Sequence, residues 1–227
     1  MARILSFTKG PQDWQRLLAD PDKHWRTGYS ARTLAHCWEA ADGFPPEVAQ
    51  ALNATAEPLL ADLVPLLAMP EFKVPLPGGG RASQNDLFVL ARSQAGPVCI
   101  MVEGKVRESF GPTLDEWRAG ASAGKLERLS FLIQSLGLEE DPRGDIRYQL
   151  LHRAVSAILT AEQYCAKASV LLVHSFSEEL AGWPDYGAFT GLFGVKAVHG
   201  CVQRLTDKST VPLFGAWVVG DCTFLRS

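Results

Sequence analysis

Two stretches, Ser83-Gln84-Asn85-Asp86-Leu87-Phe88-Val89-Leu90 and Val98-Cys99-Ile100-Met101-Val102-Glu103-Gly104-Lys105, decide how this chain is read. Leu87 to Leu90 and Val98 to Val102 are apolar runs of strand length, the second rich in β-branched residues and bounded by Gly96-Pro97. A short link between them predicts an antiparallel hairpin. Side chains two residues apart in a strand share a face, so Glu103 and Lys105 project together while Gly104 faces away. In a hairpin the start of one strand lies opposite the end of the next, which sets Asp86 beside Glu103. Two carboxylates and an amine then meet at one end of a sheet.

Like charges that close repel unless a cation neutralises them, and hard oxygen ligands suit Mg²⁺ or Mn²⁺. A cation held by Asp86 and Glu103 polarises a phosphoryl oxygen and lowers the pKa of its water, while Lys105 orients that water or offsets charge in the transition state. The chemistry implied is hydrolysis of a phosphodiester.

Working outward, Phe72, Val74 and Leu76 alternate with Lys73 and Pro75, predicting a further strand that Pro75 confines to an edge, and residues 77–80 read as a turn. The three strands form a meander. Everything upstream reads as helix: a short one over 13–18, then Ser30 capping a helix that carries Leu34, Cys37 and Trp38 and ends near Gly43. Pro45-Pro46 opens the next helical stretch, which Pro58 and Pro65 break into short pieces. Downstream, helices are expected over 114–117, 126–136 and from about Ile146 to Lys167, where Leu151, Ala154, Val155 and Ile158 recur at helical spacing. Strands follow at 170–173 and 213–219, with a glycine-containing helical or loop segment between them. The expectation is an α/β chain: residues 1–70 a helical extension packed on the core, residues 71–227 a mixed sheet flanked by helices, together one globular unit.

These residues and this order of elements resemble the PD-(D/E)XK, or restriction-endonuclease-like, nuclease superfamily. Asp86 looks like the motif's first acid and Glu103-Gly104-Lys105 like its E-x-K, with Asn85 where the motif's name has proline. The resemblance implies a restriction-endonuclease-like core, Mg²⁺ or Mn²⁺ as cofactor, and DNA or RNA as substrate. It also implies a glutamate from the preceding helix, for which Glu39 and Glu47 are both candidates, and a polar residue from the helix after the meander. Gln149 is the candidate there, with Arg153 one turn on as a contact for a substrate phosphate. The run 102–111 followed by Trp117, the run 149–153 and the segment His174-Ser175-Phe176 are also similar to a group of uncharacterised bacterial proteins.

Composition sets limits on this. A formal charge of −3 lacks the basic footprint of a strong nucleic-acid binder, which favours a rival reading: a catalytically inactive restriction-endonuclease-like module that binds a partner through its N-terminal helices. Five scattered cysteines without a C-x-x-C pair argue against disulfides or a zinc ribbon and are read as reduced. Residues 1–10 show no secretory pattern and no run is apolar enough to span a bilayer, so the expected location is cytoplasmic. Gly120-Ala121-Ser122-Ala123-Gly124 matches a serine-hydrolase elbow, but without the buried strand such an elbow needs it reads as a joint between helices. Residues 77–81 lack the ending of a phosphate-binding loop. His24, His36, His174 and His199 are too dispersed to pair as zinc ligands, and Trp14, Trp25, Trp38 and Trp117 read as core.

Overall fold

The computed structural model describes residues 8–227. Four helices lead, α1 (Gln12–Gln15), α2 (Pro21–His24), α3 (Ser30–Ala40) and α4 (Pro46–Asn53), followed by the strands β1 (Val64–Val74), β2 (Ser83–Ser93) and β3 (Gly96–Lys105). Then come α5 (Leu114–Arg118), α6 (Ala123–Ser135), α7 (Tyr148–Gln163), β4 (Ala168–Ser175), α8 (Trp183–Gly191), β5 (Val202–Thr206) and β6 (Leu213–Val219). All six strands join one mixed sheet in the order β1-β2-β3-β4-β6-β5. The expected α/β class, a mixed sheet flanked by helices with a helical region at the N-terminus, is therefore what the chain adopts.

β1, β2 and β3 form the antiparallel meander. β4 lies parallel to β3 because α5, α6 and α7 carry the chain back to the end of the sheet where β3 began. β6 runs parallel to β4, and β5 is an antiparallel edge.

Alternation along β3 sorts its side chains into two layers. Val98, Ile100 and Val102 pack with Leu34, Val48 and Leu52 of α3 and α4, while Cys99 and Met101 pack with Ala157 and Ala161 of α7. Burial on both faces is why the run shows no polar alternation.

Several boundaries depart from the sequence reading. β1 starts at Val64, not near Phe72, so the end of the stretch assigned to the helical extension, up to residue 70, is strand. Pro65 and Pro70, read as helix breakers or passed over, are accommodated because β1 is an edge, where a missing N–H costs little. β5 was not expected. Ser30 is the first residue of α3 rather than its cap; the cap position belongs to Tyr29, and the Glu108 carboxylate accepts the Ser30 N–H at 2.9 Å. α7 is shorter than the expected 146–167.

Ser122 caps α6 by accepting from the Lys125 N–H, an ordinary structural duty. The turn after β1 is held by Arg128, which donates to the carbonyls of Leu76, Pro77 and Gly79. Trp14, Trp25 and Trp38 are buried in the core as expected, and all five cysteines are free, though only Cys37 and Cys99 are buried. Among the described residues no helix is long and apolar enough to cross a membrane. The reading of residues 1–10 falls largely on positions 1–7, outside the described residues.

Candidate functional site at a fork in the sheet

The ladder between β2 and β3 ends at the pair Leu87↔Val102. Past that rung β2 continues against β1 alone and β3 against β4 alone, so the sheet forks. Asp86 and Glu103 are the first residues beyond the last rung. Asp86 closes the fork with its side chain, its Oδ2 accepting the Gly104 N–H at 2.8 Å. Gly104 itself faces α3, where an added Cβ would stand 3.2 Å from Leu34 Cδ2.

Glu103 and Lys105 share the opposite face, as the period of two requires, with Lys105 Nζ 2.7 Å from Glu103 Oε1. Both are buried, at 2% and 4% exposure. α7 lies over them. Gln149 Nε2 donates to Glu103 Oε1 at 2.7 Å, and Gln149 Oε1 accepts from Lys105 Nζ at 3.3 Å. Asp86, Glu103, Lys105 and Gln149 thus meet in one pocket of about 520 Å³, walled by Phe110, Tyr148 and His152.

Arg153 lies in the same pocket but does not offer a free guanidinium to a substrate phosphate. Its Nε donates to Glu103 Oε2 at 2.5 Å, one terminal nitrogen donates to Ser83 Oγ at 3.2 Å, and the other stands 3.9 Å from Asp86 Oδ1. Ser83 Oγ is in turn 2.8 Å from His152 Nδ1. The residues read from sequence as one polar helix face are turned into the molecule.

Sequence reasoning missed Glu71. The rungs Pro70↔Leu87 and Phe72↔Asn85 bracket it opposite Asp86, and Leu87↔Val102 puts Glu103 on the other side. Glu71, Asp86 and Glu103 therefore form a row of three acids across three strands. Glu71 has a left-handed backbone, φ 53°, which breaks the alternation of β1, so that Leu67, Met69, Phe72 and Val74 all pack in one cluster. The buried Asn85 side chain steadies this irregularity by donating to the Phe72 carbonyl.

The electrostatics divide the row. Burial raises the Glu71 carboxyl to about 8, helped by the charge of Asp86 and opposed by the Gln84 amide at 2.6 Å. Burial likewise raises Asp86 to about 7, with Glu103 adding and Arg153 subtracting. Its side chain keeps 21% exposure, and the water that reaches it moderates the rise. Burial pushes Glu103 upward too, but Arg153 and Lys105 outweigh it and bring that carboxyl down to about 2. His152 lies well below its ordinary value, through burial first and then Arg153, and is neutral. One acid is a settled ion; burial and their acidic neighbours hold the other two toward the neutral form.

A family model described as a domain of unknown function (DUF6946) matches residues 7–222. The chain belongs to that family. No curated protein and no solved structure matches it.

In this DUF6946 chain neither Glu39 nor Glu47 reaches the fork. Glu39 accepts from Thr8 and from the Trp14 indole. Glu47 belongs to a second cluster on the α3 side of the sheet, where its Oε1 stands 3.0 Å from His174 Nε2 and 3.7 Å from Cys37 Sγ. These three donor atoms lie within 4.8 Å of one another, spacing that could hold a metal ion. The tautomer argues against one. The Trp38 indole, which can only donate, points at His174 Nδ1 from 3.2 Å, so the imidazole proton sits on Nε2 and is given to Glu47. With both ring nitrogens engaged, His174 has no lone pair left for an ion, and the group reads as a hydrogen-bonded chain tying α3 and α4 to β4. No sequence spacing announces it, because its members come from three separate elements.

Proposed function

We propose that this chain is a cytoplasmic, metal-dependent phosphodiester hydrolase acting on nucleic acid, built on a PD-(D/E)XK-like core. The observation that carries the reading is the row Glu71, Asp86, Glu103 with Lys105 beside it at the mouth of the fork. The donor set fits a hard divalent cation: it is all oxygen, and the raised Asp86 and Glu71 mark negative charge that a proton or a cation must offset. Asp86 and Glu103 would hold Mg²⁺ or Mn²⁺, with Glu71 on the neighbouring strand adding negative charge nearby, and the ion when bound supplies Lewis-acid polarisation of a phosphoryl oxygen and a more acidic water.

The chain's own groups fill the remaining roles. The Gly104 N–H fixes the direction of the Asp86 carboxylate. Gln149, donating to Glu103 and accepting from Lys105, locks both side chains in one geometry. Lys105 Nζ, 4.7 Å from the Phe110 ring centre, is the cation positioned to steer a water toward phosphorus or to neutralise charge on its oxygens. Water adds to phosphorus and gives up a proton, one P–O ester bond breaks, and the departing oxygen takes up a proton in its place.

One observation favours a second reading, the inactive partner-binding module: Arg153 occupies Glu103 Oε2 and approaches Asp86, so an arginine fills part of the space a cation needs. Cleavage assays on single- and double-stranded DNA and RNA with Mg²⁺ or Mn²⁺ test the first reading. Activity that survives Lys105→Ala unchanged removes the mechanism. Calorimetric titration with Mn²⁺ separates the two readings, since heat that is absent, or indifferent to Asp86→Asn, belongs to the scaffold.

A further inference from the structure

We infer that Arg153 is a built-in competitor of the metal, a guanidinium seated between Glu103 and Asp86 that any divalent ion must displace, and that it sets how readily the site loads. This rests on the cation reading of the pocket. Three contacts define the seat: Glu103 Oε2 at 2.5 Å, Ser83 Oγ at 3.2 Å and Asp86 Oδ1 at 3.9 Å. The first and third belong to the two carboxylates that would hold the cation.

Charge makes the two occupants exclusive. The pocket already sets two cations, Lys105 and Arg153, against Glu103, and Arg153 also reaches toward Asp86. The guanidinium and a divalent ion sharing the same oxygens would repel across a few ångströms in a buried setting, where such repulsion is poorly screened. An arginine cannot resolve the conflict by losing its proton. The guanidinium has somewhere to go: Arg153 lines the wall of the open pocket, and Ser83 and His152 keep a polar anchor behind it.

Mn²⁺ binding to the full chain, followed by calorimetry and by the electron paramagnetic resonance signal of free Mn²⁺, tests this at neutral pH. Arg153→Gln is expected to bind one Mn²⁺ at least tenfold tighter than wild type, and adding Asp86→Asn to it should abolish the gain. Mn²⁺ should also raise the melting temperature of Arg153→Gln more than that of wild type, which a purely structural arginine would not produce. Arg153→Met guards against a misfolded variant: it keeps an unbranched side chain in the seat without the charge, so it too must bind more tightly than wild type. Equal or weaker binding by the folded Arg153 variants, with wild type still sensitive to Asp86→Asn, overturns the competitor and leaves the metal site standing. Mn²⁺ bound by none of these proteins overturns both.

Discussion

Glu103 and Asp86 sit on the same fork, yet their amides should move stability in opposite directions. Glu103 is 2% exposed and accepts from Lys105, Gln149 and Arg153. Glu103→Gln strips two buried cations of their shared counter-charge, and breaking a buried pair from one side costs roughly 3–5 kcal/mol. At about 2–4 °C per kcal/mol for a chain of this length, the melting temperature should fall by roughly 6–20 °C. Asp86 is the reverse case, since burial and the neighbouring Glu103 favour its neutral form. A carboxyl raised from 3.8 to about 7 carries at most about 4 kcal/mol of strain at pH 8. Partial exposure cuts this, leaving roughly 1–2 kcal/mol for Asp86→Asn to recover. The Asn carbonyl keeps the Gly104 hydrogen bond. Urea and thermal unfolding in EDTA should therefore show Glu103→Gln well below wild type and Asp86→Asn slightly above it at pH 8, the latter gain shrinking to a few tenths of a kcal/mol near pH 4. If both variants lose stability alike at pH 8, Arg153 holds Asp86 as a stable ion and the division of the row is wrong.

The same groups give the metal-free protein a bell-shaped pH profile. Raised carboxyls on Asp86 and Glu71 contribute stability that is complete below about pH 4 and lost as pH climbs through about 7 and 8, while the lowered Glu103 contributes stability lost as pH falls from 4.5 toward about 2. In EDTA the melting temperature of wild type relative to Asp86→Asn and to Glu71→Gln should fall from pH 5 to 8, and differences that stay flat over that range would contradict the two raised groups. Gly104→Ala should cost about 1–2 kcal/mol by urea unfolding, because its Cβ meets Leu34 Cδ2 at 3.2 Å and Asp86 Oδ2 at 3.5 Å; no loss would mean that Leu34 yields freely. Wild type should show no thiolate-to-cobalt absorption with Co²⁺, whereas Trp38→Phe, which frees His174 Nδ1 to carry the proton, should gain it. Such a band in the wild type would refute the tautomer assignment.

What could be read from the sequence tracks what is local or strictly periodic. The meander, the placing of Glu103 and Lys105 on one face, and the meeting of Asp86 with Glu103 all follow from a period of two and a short hairpin link. Gln149 came from the resemblance, and the structure sets it against Glu103 and Lys105. The third acid was hidden by backbone conformation, because a left-handed residue at Glu71 shifts the alternation that any pattern reading assumes. Pro70 just before it made strand the less obvious choice. β5 mixes Gln203 and Arg204 with Val202 and Leu205 at an edge, too short a pattern to stand out from a loop. The link between Glu108 and the start of α3 joins residues far apart in sequence, and nothing near Ser30 signals it.

β1 has one further consequence. An outer strand presents backbone donors and acceptors to whatever drifts past, and a second chain can lengthen the sheet by lying along it. Pro65 and Pro70 remove two of those donors, and the irregular backbone at Glu71 twists the line of those that remain. The features that disguise this strand from a reader of the sequence also make it a poorer template for a neighbour to extend.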